Sequence, residues 1–138
     1  MRLDDVQGLL DAASPAVLTT YRKDGTALTT PVWFRFHDSA FEVVLADGDV
    51  KRKHLARTPR CILVVFEAVP PFRGVEVKGE PELIEQDVTE VREAIAGRYL
   101  GEDQGRRFAA NRRSRNGTLL RLIPDQPRVW NLAATLPA

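Results

Sequence analysis

The chain has 138 residues and a mass of 15.5 kDa, enough to bury roughly two-thirds of its unfolded surface without a disulfide or metal staple. Apolar residues at 43% and charged residues at 28% exclude a disordered or fibrous chain. With 20 basic and 19 acidic residues the net charge is +1, so no global field marks a nucleic-acid or membrane-surface binder. The chain opens Met1-Arg2-Leu3-Asp4-Asp5, two acids where a signal peptide has a basic end and an apolar run. No apolar stretch nears the ~20 residues of a membrane span. The expectation is a single cytoplasmic domain over residues 1–138.

Leu3, Val6, Leu10 and Ala13 recur at helical spacing, and Pro15 ends that opening helix. Ala16 to Tyr21 reads as a strand, with Val17, Thr19 and Tyr21 at alternate positions. Asp24-Gly25 predicts a hairpin turn into a second, long strand, Ala27 to Phe36. His37-Asp38-Ser39 turns into a third, where Phe41, Val43 and Leu45 alternate with Glu42, Val44 and Ala46, completing a three-stranded antiparallel meander. Asp47-Gly48-Asp49 breaks that strand, and Val50 to Arg57 reads as a short helix ended before Pro59. Arg60 to Ala68 is a nearly continuous apolar run, which predicts a central, buried strand. A fifth strand, Val75 to Ile84, follows the loop Val69 to Gly74. Asp87 and Glu90 make a capping-box-like start to a helix whose apolar face is Val88, Val91, Ile95 and Tyr99, with Gly101 as its C-cap. A second helix covers about Asp103 to Arg113, and Gly117 to Ile123 and Arg128 to Leu132 close the chain as strands. Six or seven antiparallel strands with a few outer helices predict an α+β fold built on a β-barrel.

Local charge says more than the total. Lys51 to Arg60 holds five Lys and Arg side chains and no acid, and Gly105 to Arg115 holds five arginines. Each run is either a solvated helix face or an anion-binding surface.

Chemistry is narrowed by elimination. His37 falls in a turn beside Asp38, and His54 sits in the basic helix, as an anion contact or a spectator. No Gly-x-Ser-x-Gly elbow is present, and no Ser or Cys stands beside a His to make a nucleophile pair. Cys61 lies in the most apolar strand and reads as an inert core residue; alone it makes neither an internal disulfide nor a structural zinc site. No His, Asp or Glu cluster has metal-ligand spacing, and neither Gly-rich phosphate loop occurs. An enzyme built this way takes its chemistry from an organic cofactor.

Two segments suit a flat, phosphate-bearing cofactor. Val50-Lys51-Arg52-Lys53 opens a helix, where free N–H groups and the dipole favour an anion and two lysines add donors. Thr29-Thr30-Pro31-Val32-Trp33 puts a proline inside a strand, which implies an edge or a bulge. Backbone groups freed there, with the threonine hydroxyls, suit the polar edge of a ring system. The other reading of the segment is a bulged strand end with a core tryptophan.

Three ordered segments, Val17 to Thr26, Thr29 to Phe34 and Lys51 to Arg60, resemble the flavin/deazaflavin split β-barrel oxidoreductases of the pyridoxamine 5′-phosphate oxidase-like superfamily, and among them the branch that uses coenzyme F420. Order and spacing agree from about Ala13 to Ile84 and more loosely to the end. The resemblance implies a homodimer with two cofactor sites at the subunit interface. It assigns Lys51 to the cofactor phosphate with Lys53 as a second contact, and the strand Thr30, Pro31, Val32 and Trp33 to the ring. Arg128 and Trp130, in the last strand, fall where relatives complete the site. His54 stands where relatives often carry Asn, which alters the local phosphate contacts. Arg121-Leu122-Ile123-Pro124 echoes the ending of the pyridoxamine phosphate oxidases but lies well before the C-terminus, which argues against vitamin B6 oxidation.

The implied activity is hydride transfer from reduced coenzyme F420 to a small unsaturated or quinone-like substrate, with FMN in an oxidase or reductase of the same superfamily as the alternative. The second arginine run offers partners for the acidic tail of coenzyme F420, on charge alone. The alternative of another class is a non-catalytic module binding a cofactor or nucleic acid; against nucleic acid, the aromatic residues are not interleaved with the basic runs as a stacking platform would need.

Overall fold

The computed structural model describes residues 1–137. A 3-10 turn, Leu3–Val6, runs into α1 (Gln7–Asp11), followed by the hairpin of β1 (Ala16–Tyr21) and β2 (Ala27–Val32). Gly25 turns this hairpin at φ 88°, a backbone angle that favours glycine. Then come β3 (Arg35–His37), β4 (Ala40–Ala46), α2 (Val50–Arg57) and β5 (Cys61–Phe66). The remainder is β6 (Gly74–Gly79), β7 (Glu82–Asp87), α3 (Thr89–Leu100), α4 (Glu102–Ala110), β8 (Asn116–Leu122), β9 (Arg128–Trp130) and a last 3-10 turn, Ala133–Thr135. Among the described residues no helix is long and apolar enough to cross a membrane.

The strands form two antiparallel sheets, ordered β2-β1-β5-β6-β9 and β3-β4-β8-β7. One hydrophobic core lies between them, with Leu18, Phe34, Phe41, Leu63, Val75 and Leu120 fully buried in it. The α+β expectation holds, and β5 is central as its apolar run predicted.

Two long strands read from the sequence are each two strands in the structure, which raises the count to nine among the described residues. The run expected over Ala27 to Phe36 leaves the first sheet at Trp33-Phe34 and re-enters the second as β3, so the expected meander is a hairpin followed by a crossover. Phe34 turns inward to full burial, and its N–H, out of any ladder, donates to Tyr99 Oη at 3.3 Å. The run expected over Val75 to Ile84 changes sheet at Glu80-Pro81. Pro81 has no N–H to give a ladder, so pairing stops there.

Glu42 on β4, 3% exposed, accepts Arg35 Nε at 2.7 Å and Arg121 Nε at 2.8 Å. A carboxylate this deep is tolerated because two guanidinium groups meet it. Helices α3 and α4 form a hairpin about Gly101, whose φ is 91°. Their backbones touch at Gly97 and Gly105: a Cβ on Gly105 would lie 2.5 Å from Gly97 N, whereas one on Gly97 would find nothing nearer than 3.9 Å.

This asymmetry makes two alanine substitutions diverge. Gly105→Ala should destabilise by about 1–3 kcal/mol through overpacking, whereas Gly97→Ala should stabilise by about 0.5–1 kcal/mol through lost chain entropy. Urea unfolding of both variants measures this, and equal effects would show that the helices are not in backbone contact. At Cys61, burial pushes the thiol up to about 12, so the reactive thiolate is scarce at any ordinary pH. Thiol reagents should label it only after denaturation, which timed labelling in buffer and in guanidinium checks.

Candidate functional site

A cavity of about 250 Å3 opens where the end of β2 meets β4, the start of α2 and the α3–α4 hairpin. One wall is Pro31, Val32 and Trp33, and the floor is Val43, Val44 and Ala46 of β4. β2 is an edge strand of its sheet, the position where a strand proline is tolerated, as Pro31 suggested. Trp33 stacks on Tyr99 with ring centres 5.1 Å apart and planes 11° apart, and meets Phe108 at 5.1 Å and 51°. One residue before Pro31, the buried Thr30 Oγ1 has no hydrogen-bond partner among the described residues. An orphaned buried hydroxyl costs about 1–3 kcal/mol and marks a place for a ligand or water to bond.

Asp49 and Lys51 bring charge to the cavity from the start of α2. The sequence left this helix N-terminus free for an anion, but Asp49 caps it, accepting Lys51 N–H at 2.9 Å. The same carboxylate holds Lys51 Nζ at 3.4 Å, and the lysine side chain is only 13% exposed.

Opposite stand Arg92 and Ile95 of α3, Phe108 of α4 and Arg112 beyond it. Arg92 is 6% exposed, and Nη1 donates to Ser114 O at 3.0 Å. Burial pulls its pKa down, nearby Arg112 adds to that, and Asp87 opposes it. The Arg112 guanidinium lies over the Phe108 ring, 4.1 Å from its centre, a cation–π contact.

Of the residues singled out in the sequence, Pro31, Val32, Trp33 and Lys51 converge on this cavity. The others lie elsewhere in the chain. Thr29 bonds Thr19 Oγ1 at 3.0 Å, and Val50 is exposed at the start of α2. Lys53 lines a separate cleft with Arg52, Leu83 and Glu85. His54 is buried against β1, its Nδ1 2.9 Å from Thr20 Oγ1. Arg128 and Trp130 are on β9, the edge of the five-stranded sheet opposite β2. There Trp130 covers Gly74 so closely that a Cβ would lie 2.0 Å from its ring.

In the second arginine run, Arg106 and Arg107 pair with acids of their own helix and Arg115 with Asp87, while Arg112 reaches the cavity. Sequence reasoning missed Arg92 and Phe108. A signal for Arg92 was present: it lies four residues after Val88 and three before Ile95, a charge on the helix's own apolar stripe.

The family model described as Pyridoxamine 5'-phosphate oxidase matches residues 3–131. No curated protein matches the chain. Among solved structures, the conserved hypothetical protein Rv2991 from Mycobacterium tuberculosis is 20% identical with a TM-score of 0.79, covering 100% of this chain and 90% of that one. An F420 reductase is 19% identical with a TM-score of 0.64, over 88% of this chain and 94% of its own. HutZ, the heme storage protein from Vibrio cholerae, is 16% identical with a TM-score of 0.67, over 95% of each chain. At these identities the likeness is one of fold, and the three neighbours differ in what their names say they do. With its two antiparallel sheets, outer helices and a family match over nearly its whole length, the chain belongs to the pyridoxamine 5′-phosphate oxidase family of the flavin-binding split-barrel superfamily.

Proposed function

We propose that this protein is an oxidoreductase that binds coenzyme F420 along Pro31, Val32 and Trp33 and delivers a hydride to a small unsaturated or quinone-like substrate. FMN in the same place, in an oxidase or reductase, is the second reading. The observation that carries the proposal is the meeting of Lys51 with the Pro31–Trp33 wall at one cavity, on the strand that also carries the orphaned hydroxyl of Thr30. These residues fit the group: an edge strand with an unused hydroxyl for a ring's polar edge, an aromatic side chain for its face, and a lysine for its phosphate. At about 250 Å3 the cavity is below the ~300–1,000 Å3 typical of small-molecule sites, so one chain encloses only part of such a cofactor.

The bound cofactor would supply the hydride chemistry, at C5 of a reduced deazaflavin or N5 of a flavin. The chain's own residues bind and orient. Asp49 holds Lys51 at the cavity wall, Val43 and Val44 keep the floor dry, and Trp33 is fixed by its stack on Tyr99. The ionisable lining residues are Asp49, Lys51, Arg92 and Arg112, with no His, Cys or Tyr among them, which agrees with a direct hydride transfer. We infer that two copies complete the site, because Arg128 and Trp130 lie at the edge opposite β2 in one chain. Binding without turnover, as the heme storage likeness suggests, is the reading to test against.

Titration of the purified protein with coenzyme F420 and with FMN at physiological salt, followed by cofactor fluorescence, decides the cofactor. Lys51→Ala should weaken the preferred cofactor about 10- to 100-fold, roughly 1.5–3 kcal/mol for a charge-assisted contact. Unchanged affinity in a folded variant removes Lys51 from the site. On sizing, the protein should elute near twice 15.5 kDa, and a monomer would overturn the shared-site reading. Tight binding with no hydride transfer to any quinone or enone would favour a carrier.

A further inference from the structure

The cavity's charges are out of balance. Asp49 and Lys51 offset each other at 3.4 Å, which leaves Arg92 and Arg112 on the opposite wall. Among the described residues neither forms an ion pair; Arg92 has its one hydrogen bond to Ser114 O, and Arg112 has the Phe108 ring. A guanidinium carries five N–H donors in a planar fork, and it stays charged at any ordinary pH. Arg92 is 6% exposed, and the acid that acts on it, Asp87, is paired with Arg115 instead; a buried charge held by no ion pair of its own is disfavoured unless something further pairs with it.

The surroundings narrow what that partner is. Two guanidinium groups on one wall match an oxyanion with two or more acceptor atoms, a carboxylate or a phosphate. Beside them stand Phe108 and Ile95, which suit a flat apolar body. Lys51, already tied to Asp49, is the group assigned to the cofactor's phosphate, so the two arginines are additional to it.

We propose that Arg92 and Arg112 bind the carboxylate or phosphate of a flat second ligand lying against Phe108 and Ile95, so that the substrates of this protein are anionic planar molecules. The word substrate rests on the cofactor reading of the Pro31–Trp33 wall; the anion site itself does not.

The test is calorimetric titration of the full chain with benzoate and with its neutral isostere benzamide at fixed ionic strength, with inorganic phosphate in a parallel arm. Benzoate or phosphate should bind and benzamide should not, and the tighter of the two anions names the group. Arg92→Met and Arg112→Gln should each weaken the anion at least tenfold. Arg112 is exposed, so its variant keeps the test valid if the Arg92 variant does not fold. Equal binding of benzoate and benzamide, or wild-type anion affinity in Arg112→Gln and in a folded Arg92→Met, overturns the proposal. Repeating the titration on protein saturated with coenzyme F420 or FMN separates the two sources of the anion. Retained binding supports a second ligand, whereas loss of binding assigns the arginines to the cofactor's own anionic group and overturns it. If neither cofactor binds, the reading of the Pro31–Trp33 wall fails, and the anion titration still decides the arginine site.

Discussion

The phenol of Tyr99 is the tie on which the site depends. Its Oη accepts the Phe34 N–H at 3.3 Å and donates to Ser14 O at 2.8 Å, while its ring stacks on Trp33. One side chain on α3 thus satisfies the backbone where β2 crosses into β3, anchors the segment after α1, and sets the plane of the cavity's tryptophan. Burial pushes its pKa up, so the hydroxyl keeps the proton that the Ser14 bond requires. Arg98, the neighbouring residue, donates to the carbonyls of Leu10 and Ala12, so α3 is fastened to the N-terminal segment by two adjacent residues. A crossover between sheets leaves backbone groups without ladder partners, and each must be met or the segment will not stay buried. Here the answer to that requirement also builds the wall of the cavity.

Charge in this fold is mostly consumed internally. Glu42 is shared by Arg35 and Arg121, Arg52 bridges Asp47 and Glu85, and Glu67 holds Arg73. The Arg121-Leu122-Ile123-Pro124 segment that echoes an oxidase ending is therefore structural here: its arginine joins β8 to β4 through a buried carboxylate. The run Lys51 to Arg60 is likewise broken up, with Lys51 on Asp49, Arg52 on two acids, and Arg60 over the Tyr21 ring. A basic stripe in the sequence becomes scattered and partly neutralised in three dimensions.

Local alternation carried most of the fold. β1, β4, β5 and α2 stand within a residue or two of where side-chain periodicity and turn residues put them, because each obeys one local rule along its whole length. What periodicity does not encode is the moment a chain leaves one sheet for another. Trp33 and Phe34 continue the apolar pattern straight through the first crossover, so nothing local marks it. At the second, Pro81 was a legible stop: the reasoning that placed Pro31 on an edge strand applies equally to it. The cavity was half legible. Lys51 and the Pro31–Trp33 strand form compact sequence segments, whereas the opposite wall is assembled from positions 92, 95, 108 and 112, which only the helical hairpin brings together. His54 shows the converse, a polar residue in a basic segment that folding turns inward to meet Thr20.

The depth of Arg92 has a kinetic consequence. With a net charge of +1, the molecule projects little field beyond the ~8 Å screening length of physiological salt, so an anion is not drawn in from a distance as it is toward a strongly charged cleft. Encounter then proceeds at the unsteered rate, and its success depends on orientation at the cavity mouth. Once inside, the anion meets the Arg92 guanidinium, which solvent screens poorly, and its departure requires that contact to be broken before water can replace it. Selectivity among ligands is accordingly exercised through residence time rather than capture, and it persists at salt concentrations that would erase long-range attraction.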